Sequence, residues 1–257
     1  MRRLELLFTF SAIALIAYLL ILFVAMSFYL DLDKLLDMTR ERRFQMAAIN
    51  SAVAAAWAAI ISMAISIPIG YGMSRKIIPG GSLVSFLGLA LLSIPPVGVG
   101  IMLVALFAGP FKPIDETFKV LYTLKAVVLA QFTVEIPIII MFTKEIFDYV
   151  NPASEEMLMT MGASRIRAFL EATLPAATPG LLAVFIIAYM RALGEFGATV
   201  VVSGQIPEET ETLPVLMFAL LEKGLEYSVG VLAILVALGA TSTIAYMVLK
   251  TRQAGER

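Results

Sequence analysis

Long uncharged stretches alternate with short clusters of charged residues along the 257-residue chain. A bilayer core about 30 Å thick is crossed by a helix of about 20 apolar residues, because unpaired backbone groups are not tolerated in hydrocarbon. Stretches of about this length predict six transmembrane helices, and the expected fold class is all-α and polytopic. They cover residues 6–30, 47–74, 83–108, 126–142, 179–202 and 229–249.

Three of the predicted spans contain residues that are unfavourable in a plain lipid-facing helix. Pro95 and Pro96 predict a kinked or broken third span, since proline removes a backbone donor and clashes with the preceding turn. Glu135 in the fourth span, and Arg191 with Glu195 in the fifth, predict helix faces that contact protein or water rather than lipid.

Composition supports a membrane protein and excludes several kinds of chemistry. Hydrophobic residues make up 60% of the chain and charged residues only 15%, against about 25% charged in a soluble domain. Cysteine and histidine are both absent, which excludes disulfides, thiolate or imidazole metal sites and Ser–His or Cys nucleophile systems. The net charge is −1 without a basic stripe, so no nucleic-acid partner is expected. No linker or change of composition divides residues 1–257, which predicts a single transmembrane domain.

Two other membrane functions are weighed against these residues. A membrane-embedded enzyme needs convergent acids, bases or metal ligands, whereas the spans offer only Glu135 and Glu195 as carboxylates. An ion-coupled secondary transporter is a nearer alternative, because paired intramembrane carboxylates can carry protons. Neither alternative explains the segment between the fourth and fifth spans.

That hydrophilic segment has the signals of two short helices joined by a tight turn. Asn151 or Ser154 can cap the first helix, and Gly162 can end it in a left-handed conformation. Ser164 can cap the second, which is predicted to stop before Pro175.

The second of these helices is predicted to be amphipathic. Ile166, Phe169, Leu170 and Thr173 share one face at helical spacing. Such a face suits a groove on a partner protein, and it equally suits a lipid headgroup layer. Spacing alone leaves both interpretations open.

The segment resembles the EAA loop of permease subunits from ABC importers, whose pattern is roughly E-A-A-x3-G-A-x5-F-x2-I-x-L-P. It departs from that pattern at Met157, Leu158 and Ala172. The matching positions are Glu156, Gly162, Ala163, Ser164, Phe169, Leu174 and Pro175.

The resemblance implies a type I ABC importer permease fold in which residues 148–175 couple the membrane domain to a separate cytoplasmic ATPase. It also implies that both termini are cytoplasmic. The charges agree weakly, since ten Lys and Arg residues then fall inside and eight outside. The chain has no G-x4-G-K-[ST] phosphate loop, so this chain is expected to hold no cofactor, and ATP and Mg are expected on two partner ATPase subunits.

Residues 189–214 resemble the molybdate/tungstate permeases and, more loosely, the sulfate/thiosulfate permeases. The matching parts are R-A-L-G-E-F-G, S-G-Q-I-P and T-L-P. This resemblance implies import of a tetrahedral oxyanion delivered by an extracytoplasmic binding protein. The loop after the fifth span carries Glu208, Glu209 and Glu211, which predict a solvated docking surface.

Arg191 and Glu195 are the proposed intramembrane charged pair. They lie four residues apart and can pair within one helix, and Glu135 is a further candidate partner. The alternative is that Arg191 contacts the transported anion. No catalytic or metal-binding residue is predicted. Small residues four apart in the same span favour close helix packing and a symmetric homodimer.

Overall fold

The computed structural model describes residues 2–255 of the chain, and within this range the regular structure is entirely helical. Arg257, one of the cytoplasmic cations counted above, lies outside the described residues. The helices are α1 (Arg2–Ser27), α2 (Leu32–Arg40), α3 (Arg42–Ser74), α4 (Gly81–Leu92), α5 (Pro96–Ala108), α6 (Lys112–Phe118), α7 (Leu124–Tyr149), α8 (Ala153–Thr160), α9 (Arg165–Ala168), a π-helical turn (Phe169–Thr173), α10 (Leu174–Leu193), α11 (Gly197–Ser203), α12 (Leu213–Leu220) and α13 (Leu225–Gly255).

Five uninterrupted helical segments of the described chain are long and apolar enough to cross a membrane. A sixth span is formed if α4 and α5 are counted together, although their axes meet at 108°. The break falls just before Pro96, as the two prolines predicted, because the residue before a proline avoids helical backbone angles. The uninterrupted segments are Glu5–Ser27, Arg42–Ser74, Leu124–Tyr149, Arg165–Leu193 and Leu225–Ile244.

The predicted fifth span, residues 179–202, is wrong as a single helix. The helix ends at Leu193, and the separate helix α11 begins at Gly197. Gly194 stands at the C-terminal cap, and buried Glu195 accepts a hydrogen bond from the backbone of α11. A capping carboxylate at the break supplies an acceptor to one of the free N–H groups of the new helix.

The predicted stop before Pro175 is also wrong, since helical backbone runs from Arg165 to Leu193. The π-helical turn Phe169–Thr173 lies directly before the proline, and Leu174 N donates to Phe169 O. One extra residue in this turn shifts the hydrogen-bond register, so that Pro175 falls in the first turn of α10, where its missing N–H costs little.

Small residues bring the central helices close together. Helices α3 and α7 pack along each other, and α10 packs against both. Ala54, Ala55, Ala58 and Ala59 of α3 are fully buried. Gly70 approaches α7 so closely that a Cβ atom there would lie 2.9 Å from Lys144 N. Close packing of small residues holds helices together in lipid, where apolar burial supplies no driving force between them.

Candidate functional site

The segment of residues 148–175, called here the coupling segment, is a helical hairpin between α7 and α10. Its turn is a Schellman motif, in which Gly162 N donates to Met159 O and Ala163 N to Leu158 O at 3.0 Å each. Gly162 has the predicted left-handed backbone, with φ of 92°. The chain therefore reverses within the three residues expected from the sequence.

A side-chain cap stands at the start of each helix of the hairpin. Ser164 Oγ accepts a hydrogen bond from Arg167 N at 3.3 Å, as predicted for the start of the second helix. At the start of the first helix, Asn151 Oδ1 accepts from Ala153 N at 2.9 Å. Asn151 rather than Ser154 thus orders the entry to the hairpin.

Glu155 attaches the hairpin to the rest of the molecule. Its buried carboxylate accepts hydrogen bonds from Tyr71 Oη, from Arg75 Nε at 3.2 Å and from Thr173 Oγ1 at 2.8 Å. Tyr71 and Arg75 belong to the end of α3, whereas Thr173 belongs to the π-helical turn. One side chain therefore joins both arms of the hairpin to a central span.

Sequence reasoning missed Glu155 and selected its neighbour. Glu156, which matches the family pattern, is exposed on the same helix. The contacts of Glu155 come from residues 84 and 18 positions away, and such long-range pairing leaves no local signal.

Arg75 extends this network to the end of α7. Its guanidinium donates to Phe147 O and to Val150 O, each at 3.1 Å, besides binding Glu155. The last turn of a helix leaves carbonyl groups unpaired, and a cation there satisfies them favourably. Helices α3, α7 and α8 thus meet at one guanidinium.

The ionisation of Glu155 reflects this environment. Burial opposes the charged form, but the hydrogen bonds from Tyr71, Thr173 and Arg75 outweigh it and hold the pKa of Glu155 below its usual range. Glu155 is therefore a carboxylate at neutral pH and acts only as an acceptor.

The predicted shared face of Ile166, Phe169, Leu170 and Thr173 is divided into two rows of residues four apart. Phe169 packs inward, with its ring centroid 4.5 Å from that of Tyr71, and Thr173 is buried beside Glu155. Ile166 and Leu170 are exposed instead. The amphipathic-face prediction is wrong in this respect, because only the row of Phe169 and Thr173 has partners in the chain, Tyr71 and Glu155.

Four large apolar side chains of the hairpin are exposed, besides its charged ones. Met157, Met161, Ile166 and Leu170 are between 53% and 76% exposed, and they come from both arms. Large exposed apolar side chains on a hydrophilic segment indicate an interaction site. We call these four residues the apolar patch.

Arg191 and Glu195 form an ion pair at the break between α10 and α11. Arg191 Nη1 lies 2.8 Å from Glu195 Oε2, and Glu195 Oε1 accepts from Ala198 N at 3.0 Å. Glu195 is buried, whereas the Arg191 side chain is 41% exposed. The carboxylate therefore caps α11, and the guanidinium balances its charge.

Glu135 makes no ion pair with Arg191 within 4.0 Å among the described residues, so its role as a further partner of Arg191 stays a prediction. Its Oε1 atom accepts from Ser62 Oγ at 2.6 Å, which links α7 to α3. Its Oε2 atom has no hydrogen-bond partner among the described residues. Within that part of the chain, no three acidic side chains are placed to hold a metal ion.

A second buried carboxylate that the sequence did not reveal lies in residues 203–212, called here the outer loop. Glu211 is 1% exposed, and Arg43 binds its two oxygens through Nη2 at 2.7 Å and Nε at 2.8 Å. Asn50 Nδ2 donates to the carbonyl groups of Glu209 and Glu211. The prediction of a solvated acidic run is therefore wrong for Glu211.

Comparison with known proteins places this architecture in a family. The putative molybdenum transport system permease protein YvgM of Bacillus subtilis is 33% identical over 176 residues, which are 66% of this chain and 77% of that protein. The molybdenum transport system permease protein ModB of Haemophilus influenzae is 30% identical over 184 residues, 69% and 80% of the two chains. The sulfate transport system permease protein CysT of Salmonella typhimurium is 29% identical over 156 residues, 59% and 56% of the two chains.

A solved structure has the same fold. In the crystal structure of a bacterial ABC transporter involved in the import of the acidic polysaccharide alginate, one chain matches with a TM-score of 0.69 and 14% identity, over 98% of this chain and 96% of that one. The model of the family described as binding-protein-dependent transport system inner membrane component matches residues 66–255. The chain belongs to this family of multi-pass inner membrane permeases, the translocation subunits of binding-protein-dependent transport systems.

Proposed function

We propose that this chain, as one transmembrane domain, is the permease subunit of an ATP-driven importer of molybdate or tungstate. The observation that carries the proposal is the coupling segment, a capped hairpin that presents the apolar patch while Glu155 holds it to α3. The names of the relatives supply the substrate class, since two of them are molybdenum permeases of similar length. A separate ATPase supplies the energy, because this sequence has no phosphate loop.

The coupling segment binds a cleft on the ATPase through the apolar patch. A displacement of the hairpin then passes through Glu155 to Tyr71 and Arg75 at the end of α3, and through Arg75 to the end of α7. Tightly packed helices move as rigid bodies rather than deforming continuously. Docking of two ATPase subunits can in this way open the path alternately to either side of the membrane.

Orientation and assembly follow from this assignment. A cytoplasmic coupling segment places both termini in the cytoplasm and the outer loop on the opposite side, where the binding protein docks. Two copies of the chain enclose the path. The apolar segment Glu5–Ser27 of α1 is not buried against the rest of the described chain, which leaves its surface for lipid and for the second copy.

Arg191 stabilises the break in the fifth span rather than binding the anion. Its partner Glu195 neutralises it at 2.8 Å and caps α11 at the same time. A transport path that binds its substrate tightly would also release it slowly. Anion selectivity therefore belongs to the binding protein.

Sulfate or thiosulfate is the second candidate substrate, favoured by the similarity to the sulfate permease. The test is to co-express the chain with the ATPase and binding protein encoded beside it, purify the complex and reconstitute it in vesicles. Molybdate or tungstate on the binding protein is expected to stimulate ATP hydrolysis, with sulfate inactive. Stimulation by sulfate alone would make sulfate the assigned substrate instead of molybdate or tungstate. Failure to recover an ATPase with the chain would overturn the proposal.

A further inference from the structure

Two adjoining cavities lie between α4, α7 and the end of α3, near the coupling segment. One is apolar and holds about 220 Å³, and the other is lined by polar and apolar groups alike and holds about 310 Å³. Met73, Ser85 and Lys144 line both, so the two cavities adjoin each other. Together they form a slot with a more polar end and an apolar end.

The polar end is cationic. Lys76 and Lys144 both line it, together with Ser82 and Ser85. Lys144 pairs with Asp148 on its own helix, whereas Lys76 has no carboxylate within 4.0 Å among the described residues. Two lysines against one aspartate leave this end with a positive charge. The first turn of α4 also begins here, at Gly81, without a side-chain cap.

The apolar end lies between two of the helices that form candidate membrane spans, α4 and α7. Leu87, Gly88 and Leu91 of α4 face Pro137 and Ile140 of α7 across it. Gly88 has no side chain to occupy the cavity. A Cβ atom added there would point at α7, at an ordinary contact distance of 3.5 Å from Pro137. A soluble anion makes no favourable contact with these apolar side chains, whereas an acyl chain that covers them is stabilised by the burial of apolar surface.

We infer that this slot binds an anionic phospholipid, with the phosphate between Lys76 and Lys144 and part of one acyl chain along Gly88. The argument is charge complementarity at the polar end combined with the apolar cavity that adjoins it. Basic pockets between transmembrane helices near the membrane surface bind anionic headgroups in this way. The inference concerns a lipid and is independent of the anion that is transported.

The test measures lipids retained by the purified full-length chain in detergent, by native mass spectrometry, after exposure to equal amounts of phosphatidylglycerol and phosphatidylcholine. Wild type is expected to retain phosphatidylglycerol preferentially. Lys76→Gln should weaken that retention about fivefold, the usual effect of one lysine at an anionic membrane surface. The matched control is Lys223→Gln, an exposed lysine elsewhere, which should change nothing.

Two further variants separate specific binding from damage to the fold. Asp148→Asn frees Lys144 and should strengthen phosphatidylglycerol retention, a gain that misfolding cannot produce. Gly88→Leu fills the apolar cavity and should reduce retention although both lysines are intact. Equal retention of the two lipids in wild type would overturn the inference. Displacement of the retained lipid by free phosphate or molybdate would also overturn it, because the site would then bind a soluble anion.

Discussion

The two ends of α3 each hold a loop through one buried carboxylate, but they do so in different ways. At the outer end, Arg43 binds both oxygens of Glu211, and Asn50 binds two backbone carbonyl groups of the same loop. At the other end, Glu155 of the coupling segment accepts hydrogen bonds from the side chains of Tyr71, Arg75 and Thr173, and Arg75 also donates to one backbone carbonyl group of the segment, that of Val150.

The outer loop is also more deeply buried around its carboxylate than the coupling segment is. In the outer loop the three consecutive residues from Thr210 to Thr212 are nearly inaccessible, whereas the coupling segment buries only separate residues, among them Glu155 and Thr173, and exposes the apolar patch. Backbone and side-chain bonds together fix the outer loop on α3 as part of the core. The coupling segment is attached through the Glu155 and Arg75 network and the packing of Phe169, and it leaves the apolar patch exposed. Under the proposed function, these exposed side chains are the ones that contact the ATPase.

The largest effect is expected when the bidentate pair of the outer loop is broken. Arg43→Ala leaves the buried Glu211 carboxylate without its cation, which costs about 3 kcal/mol of unfolding free energy at the lower end of the range for buried pairs. Denaturant titration of the detergent-solubilised chain measures it. The matched control is Arg42→Ala, whose pair with Glu208 is largely exposed and should make no measurable difference. Equal effects of the two variants would show that burial does not distinguish the outer loop.

The next largest effect tests the attachment of the coupling segment through Glu155. In Glu155→Gln the amide can still accept from Tyr71, but its NH2 group faces the donors Arg75 and Thr173, and the lost charge-assisted bonds cost about 2 kcal/mol. Anion-stimulated ATP hydrolysis by the assembled complex should fall together with the stability of this variant. Glu156→Gln alters an exposed carboxylate and is the control. A larger loss of stability in Glu156→Gln would refute the assignment of Glu155 as the anchor.

The same contacts give the coupling segment a pH dependence. The folded state lowers the pKa of Glu155, so the stabilisation is complete above the ordinary glutamate value of about 4.3 and is lost as the pH falls through the lower folded value. The stability difference between wild type and Glu155→Gln should therefore shrink on acidification from pH 7. Measuring both unfolding curves at neutral and acidic pH checks the sign, and a difference that grows would contradict it.

Local patterns predicted much of this architecture. The apolar stretches predicted the positions of the spans other than the fifth, and Gly162 and Ser164 predicted the turn of the hairpin, because hydrophobic length and backbone conformation act over a few residues. The π-helical turn before Pro175 and the carboxylates Glu155 and Glu211 were not predicted. Their stabilisation comes from α3, more than 75 residues away in sequence, so nothing in their neighbourhood marks them.

A third buried carboxylate extends the comparison to the interior of the membrane. Arg191→Ala leaves Glu195 with only the Ala198 N–H as partner, and we expect a loss of about 1.5 kcal/mol, less than for Arg43 because Arg191 is more exposed. Yield and assembly of the complex should fall, while the ranking of molybdate, tungstate and sulfate stays unchanged. A stable variant with normal ATPase coupling but a changed anion preference would instead make Arg191 a substrate contact.

The smallest effect is expected from substitutions of one glycine in the coupling segment and one in the outer loop. Gly162 and Gly204 both have left-handed backbone, but a Cβ at Gly162 would meet nothing within 4 Å, whereas at Gly204 it would lie 2.9 Å from the ring of Tyr122. Gly162→Val should therefore cost about 1 kcal/mol, from backbone conformation alone, and should impair coupling by distorting the hairpin.

Asparagine tolerates this conformation, so Gly162→Asn should lose little in either measurement, whereas Gly204→Asn should still be destabilised by the ring. Equal tolerance of asparagine at both positions would mean that the outer loop can adjust as freely as the coupling segment. Normal ATPase coupling in Gly162→Val would mean that the shape of the hairpin turn does not matter for transmission. Unfolding curves and ATPase assays on these three variants therefore test whether one end of α3 is fixed and the other is free to bind a partner.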